Sequence, residues 1–263
     1  MTGDQPTPEQ LHFIRNGGSR TIADFVADRM VPIGFVAFDQ SRPNYIANGT
    51  MVPVEVPNRV GFLTARHVLD GLERLKTEHP SFQILAADTK IDLDRELCIR
   101  APDGGDICLL MFQNWGEILS RSSKTAVRPD RISEGRIFEG QRLDYAGFPG
   151  LERRSVIVTG TLHVEHGIYS VSSLVKSVGE LDFSLNVEHE FLVQWAAGPS
   201  LKPGYDVGGM SGGPAFVWQE DGKFVVPMLA GIVSEGISAF NMIKFVRVNE
   251  FYSYVVEKLS QPR

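Results

Sequence analysis

The chain has 263 residues, 43% of them hydrophobic and 22% charged, with a net charge of −6. That length supports a sizeable core, and the composition is that of a soluble globular protein rather than a disordered or fibrous one. The acidic balance argues against a nucleic-acid-binding face and against attraction to an anionic membrane. No run reaches the about 18 apolar residues needed to cross a bilayer, so no membrane partner is expected. Residues 1–16 lack the basic start and apolar stretch of a signal peptide. The two cysteines, Cys98 and Cys108, lie in apolar, strand-like sequence and read as buried thiols. Together these features lead us to expect a cytoplasmic protein.

In chain order, residues 1–30 read as an N-terminal extension. Pro8-Glu9-Gln10-Leu11 opens a short helix that Gly17-Gly18 would end. A second helix over 21–30 places Ile22, Phe25, Val26 and Met30 on one face. Short apolar or alternating runs follow at 33–38, 49–56, 60–65, 82–87 and 107–112, separated by Pro, Gly, Asn and Asp. Residues 116–134 are polar and basic, with Arg121, Lys124, Arg128 and Arg131, and read as a connector. Strands resume at 142–147, 155–164, 190–195, 215–219 and 224–234, and Asp221-Gly222 signals a tight hairpin. Pro53, Pro57, Pro80 and Pro227 are expected at edges or bulges. A helix over 249–259, capped by Asn249, closes the chain. Two strand clusters around a connector predict an all-β molecule of two packed antiparallel β-barrels, over 31–125 and 126–263, with helices at the two ends.

Three segments carry the chemistry. Ser211 stands in Gly209-Met210-Ser211-Gly212-Gly213-Pro214. A serine hydroxyl needs an adjacent base to become a nucleophile, and glycines on both sides let the backbone approach a substrate carbonyl. They also let the N–H groups of Gly209 and Ser211 converge on a developing oxyanion, each such donor contributing about 3 kcal/mol to transition-state stabilisation. His67 follows the apolar run 60–65, a rigid position for a general base. Asp106 precedes 107–112 and is placed to orient the imidazole, with Asp103, Asp88, Asp92 and Asp94 as competitors. The serine turn also fits the nucleophile elbow of α/β-hydrolases, but in that fold the histidine follows the serine. Here His12, His67, His79, His163, His166 and His189 all precede Ser211.

Thr64-Ala65-Arg66-His67, Gly105-Asp106-Ile107-Cys108-Leu109-Leu110 and Gly209-Met210-Ser211-Gly212-Gly213-Pro214 together resemble the trypsin/chymotrypsin-like serine proteases over about residues 31–260. Gly231-Ile232-Val233-Ser234 is similar to the family's pocket-lining strand. The segment 140–150 is similar to a strand and turn of bacterial HtrA-like members. The resemblance implies two six-stranded barrels, with His67 and Asp106 from the first and Ser211 from the second. It also implies an extended substrate paired with the backbone of Ser234, Glu235 and Gly236, and Tyr205 near the pocket base. Met210 stands where digestive members carry an aspartate that receives a newly cut N-terminus, so activation by that route is not expected. Glu235 replaces the usual aromatic beside the pocket.

His163, His166, His189, Glu165 and Glu188 lack metal-site spacing and read as solvated strand faces, and Trp115, Trp195 and Trp218 read as packing residues. The expectation is a serine endopeptidase acting on protein or peptide, with no cofactor or metal. Two alternatives stay open: a protease-fold binding or scaffold protein without turnover, and a protease switched on by an activating protein partner.

Overall fold

The computed structural model describes residues 19–39, 42–79, 81–134, 137–150, 153–158, 161–186, 191–192, 208–221, 224–237 and 242–261. The chain is mostly β. The first helix among the described residues, α1 (Ser19–Ala27), lies on the expected apolar face: Ala23, Val26 and Met30 are fully buried, with Ile22 and Phe25 packed beside them.

The first sheet runs in the order β5-β4-β1-β2-β3-β7-β6. It comprises β1 (Val31–Asp39), β2 (Arg42–Val56), β3 (Arg59–Thr64), β4 (Phe82–Ala86), β5 (Thr89–Ile91), β6 (Leu97–Arg100) and β7 (Cys108–Met111). β2 pairs with β1 up to Met51 and with β3 from Val52 onward, so one strand bends and serves two partners. The bend curls the sheet into half a barrel around Phe35, Met51, Phe62, Leu110 and Phe112. Pro53 falls on the stretch that has left β1, where its missing N–H costs no ladder bond.

Between β3 and β4 lies α2 (Arg66–Glu78), a helix absent from the sequence reading, which stopped at His67. Leu69 and Leu72 are its buried residues, and Val68 and Leu75 pack beside them. The expected connector at 116–134 also contains a helix, α3 (Trp115–Ser122), which buries Ile118. Its basic residues are engaged locally: Arg121 pairs with Glu117, Arg128 with Asp130, and Lys124 caps α1 through the Ala27 carbonyl. Beyond α3 the chain spans both sheets, bridging Val54 through Val127 and Leu229 through Ile132.

The second sheet contains β8 (Arg142–Gly147), β11 (Tyr169–Val178), β12 (Asp182–Asn186), β14 (Pro214–Asp221), β15 (Phe224–Ile237) and β16 (Met242–Arg247), with β13 (Phe191–Leu192) attached to β11. Pairing of β11 with β12 closes the six into an antiparallel barrel. Tyr145, Phe183, Phe245 and Met210 fill it. Pro227 lies on the part of β15 that pairs with β14 alone, the edge position its chemistry requires. The single strand expected over 155–164 is instead a hairpin of β9 (Arg153–Val158) and β10 (Thr161–His166), with Val158 opposite Thr161. The expected strand at 190–195 is described only as β13, and the Pro8–Leu11 helix, Pro80, Gly222, His189, Glu188 and Trp195 lie outside the described residues.

The closing helix, α4 (Asn249–Ser260), buries Phe251 and Val255. Asn249 does not cap it: the N-cap position is Val248, and no side chain bonds there. A third apolar cluster joins the two sheets, uniting Val54, Leu63 and Leu109 with Phe148, Phe216, Ile232 and Phe251. Phe25 of α1 meets Phe216 edge-on at 5.2 Å, so the N-terminal helix is part of this seam.

Candidate active site

β3 ends at Thr64 and α2 begins at Arg66, so His67 stands in the first turn of a helix at the end of a buried strand. The first N–H groups of a helix have no partner within it, and Ala65 at the N-cap supplies none. Asp106 supplies it from across the sheet. Its Oδ1 accepts the His67 backbone N–H at 2.9 Å, and its Oδ2 lies 2.8 Å from Nδ1. Gripping both the backbone and the ring fixes the imidazole plane. The carboxylate holds a proton on Nδ1 and leaves Nε2 as an acceptor. The imidazole side chain remains 51% exposed.

Ser234 Oγ donates to the same Asp106 oxygen at 2.6 Å, which ties β15 to the first sheet. Burial works against the Asp106 charge, but the hydrogen bonds from the His67 ring, Ser234 and the His67 N–H outweigh it and hold the carboxyl below its ordinary range. The hydrogen bond to Asp106 raises the His67 pKa; burial partly offsets it, and the charges of Asp106, Glu235 and Asp70 add to the rise.

Ser211 occupies a turn bound to both sheets. Thr50 N–H of β2 donates to its carbonyl at 2.9 Å, Gly212 N–H donates to Val233 O at 2.7 Å, and Gly213 N–H donates to Met210 O at 2.8 Å. Gly212 has φ +87°, and a Cβ there would lie 2.0 Å from Thr50 O and 2.5 Å from Thr64 Oγ1. The serine turn is therefore pressed against the end of β3, three residues before His67. Met210 is fully buried in the second barrel and anchors the turn by apolar packing. The Ser211 hydroxyl donates to the Ser234 carbonyl at 3.4 Å. Among the described residues it makes no hydrogen bond to His67.

Gly209 has φ +95°, conformational space closed to most side chains. A Cβ there would lie 2.3 Å from Asn48 Nδ2 and 2.7 Å from Phe148 O. The Gly208 carbonyl accepts Gly150 N–H at 2.6 Å. In a trans peptide N–H and C=O point oppositely, so this bond turns the Gly209 N–H the other way. Among the described residues neither the Gly209 nor the Ser211 N–H has a hydrogen-bond partner.

Ser234 is buried, whereas Glu235 and Gly236 are exposed at the end of β15. Tyr205 lies outside the described residues. Of the competing carboxylates, Asp103 accepts the Gly105 N–H and shapes the turn before Asp106, Asp92 accepts the Asp94 N–H, Asp94 pairs with Lys76, and Asp88 is exposed. His166 is not solvated as expected. It packs against Phe148, and burial, with Arg153 adding, pushes its pKa down to about 4. Trp218 packs near Phe25 and donates Nε1–H to the buried Asp144. Both cysteines are free thiols. Cys98 is half-buried rather than fully buried, and a hydrogen bond with Cys108, aided by Arg100 against burial, lowers its pKa to about 7.

Sequence reasoning missed the residues that hold the serine loop. Thr50 Oγ1 accepts Phe148 N–H at 3.1 Å and donates to Gly209 O at 3.0 Å; Asn48 Nδ2 donates to Phe148 O at 2.7 Å; Thr64 Oγ1 donates to Thr50 O at 2.8 Å. The available signal was a threonine at 50 inside an apolar strand, since a buried hydroxyl requires partners. No protein-family model matches the chain, and no curated protein matches it.

Proposed function

We propose that the chain is a serine endopeptidase of the trypsin/chymotrypsin-like kind, its curled sheet and closed barrel being the two halves of that fold. The observation that carries the reading is the linked set at the seam: His67 on Asp106, Ser234 on the same carboxylate, and Ser211 on the Ser234 carbonyl. Ser211 Oγ attacks the scissile carbonyl while His67 Nε2 takes its proton. The tetrahedral oxyanion accepts from the N–H groups of Gly209 and Ser211, and His67 then returns the proton to the leaving amine. Water, activated by the same imidazole, hydrolyses the acyl-enzyme. The residues need no cofactor for these steps, and the free thiols suit a reducing cytoplasm. Among the described residues no helix is long and apolar enough to cross a membrane.

On this reading, Ser211→Ala and His67→Ala each lower kcat on a cleaved peptide by about 10⁴- to 10⁶-fold, and the double variant lowers it little further, because the groups act as one unit. Losses that multiply in the double variant contradict it. One observation favours a second reading, a latent protease switched on by a protein partner: the Ser211 hydroxyl is directed to Ser234 rather than to His67. Full turnover by the purified chain alone excludes that alternative.

A further inference from the structure

We propose that Glu235 selects substrates carrying lysine or arginine immediately before the acyl residue, the second position on the acyl side of the scissile bond. This rests on the endopeptidase reading and names its substrate class.

Val233 is the last residue of β15 tied to the serine turn by backbone hydrogen bonds, Gly212 N–H to Val233 O and Val233 N–H to Gly213 O. Beyond it, Glu235, Gly236 and Ile237 pair with Lys244, Ile243 and Met242 of β16. Among the described residues the opposite side of this stretch pairs with no strand. It starts beside Ser211, whose hydroxyl reaches the Ser234 carbonyl. An extended peptide with its scissile carbonyl at Ser211 adds to this edge as a strand.

β15 shifts register against β16 between Val233 and Glu235, which leaves Ser234 at a bulge, and antiparallel addition from there sets the peptide's register. The acyl residue lies opposite Ser234, the residue before it opposite Glu235, and the next opposite Gly236. Directly opposed side chains share a face, with Cβ atoms about 4.5–5.5 Å apart. The second acyl-side residue is thus the immediate neighbour of Glu235.

Charge decides what that residue is. Glu235 is exposed, and no ion pair engages it among the described residues. Lys244, directly across the ladder, is turned to Asp182 at 2.6 Å. The Glu235 charge also reaches His67, where Asp106 and Asp70 act with the same sign. A cationic side chain placed here is attracted to the free Glu235 carboxylate; an acidic one is repelled.

The test uses internally quenched peptides with a randomised acyl residue and lysine, norleucine or glutamate before it, cleaved by the full chain. An exposed ion pair supports a lysine-to-norleucine ratio in kcat/KM of about fivefold. The ratio falls toward one in Glu235→Gln and at high salt. In Glu235→Lys the preference turns to glutamate. Cleavage with the same ratio in wild type and Glu235→Gln overturns the inference and leaves the protease reading intact. No cleavage of any peptide, with Ser211 inert to a fluorophosphonate, overturns both.

Discussion

At the scale of single residues, the site is governed by where one carboxylate places its charge. Asp106 caps the first turn of α2 with one oxygen and holds the His67 ring with the other. On the endopeptidase reading, the same contact sets the pH at which His67 can act. A base must be neutral to accept a proton, and the Asp106 hydrogen bond raises the pKa of this imidazole. Activity therefore fades as pH falls through a value above the ordinary imidazole range near 6.5. In Asp106→Asn that bond to a charged partner is lost. The acid limb of the kcat/KM profile then moves to lower pH, while the rate drops by about 10⁴-fold. A profile whose acid limb stays in place in Asp106→Asn contradicts this account. The contact of His67 with Asp106 joins two residues that the sequence singles out, because each sits in a short motif with its own turn or strand end, as Ser211 does. The Ser234 hydroxyl was not: Ser234 attracted notice for its backbone, and its bond to Asp106 spans 128 positions of chain.

At the scale of elements, strands were legible where apolar runs end in Gly, Pro, Asn or Asp, as at β1, β8 and β14. Helices inside the β region were less so. The apolar spacing of Val68, Leu69, Leu72 and Leu75 was available for α2, but the strand run before it dominated the reading. In α3 the charged residues hid the single buried Ile118. The serine loop was the least legible element because contacts distant in sequence hold it. Thr50 belongs to β2 of the first sheet, yet its hydroxyl links Phe148 N–H to Gly209 O of the second. We assign Thr50 as a positioning residue for the Gly209 N–H. Thr50→Val keeps the shape and removes both bonds. It leaves the buried Phe148 N–H unpaired, at a stability cost of about 1–3 kcal/mol. If the chain is the proposed endopeptidase, the Gly209 N–H serves the transition state rather than the substrate, and kcat falls about tenfold with KM nearly unchanged. A loss confined to thermal stability, with kcat preserved, removes Thr50 from the mechanism.

At the scale of the whole molecule, each half contributes something the other lacks. The curled sheet carries His67 and Asp106, the closed barrel carries Ser211 and Ser234, and neither half holds a complete site. The apolar seam shared by Val54, Leu63, Phe148, Phe216 and Ile232, buttressed by α1, fixes the halves against each other. Periodicity predicted two strand clusters but not how they dock, since seam residues look like any other core residues in sequence. The helix over 21–30 was visible as an amphipathic segment, and only its packing on Phe216 reveals it as part of the seam. The most direct measurement is intact-mass analysis after fluorophosphonate treatment of the purified chain, of Ser211→Ala, and of the chain unfolded in urea. The account predicts one adduct on the folded chain, mapped to Ser211, and none on the other two. A folded chain that stays unlabelled, or an adduct that persists in Ser211→Ala, contradicts it.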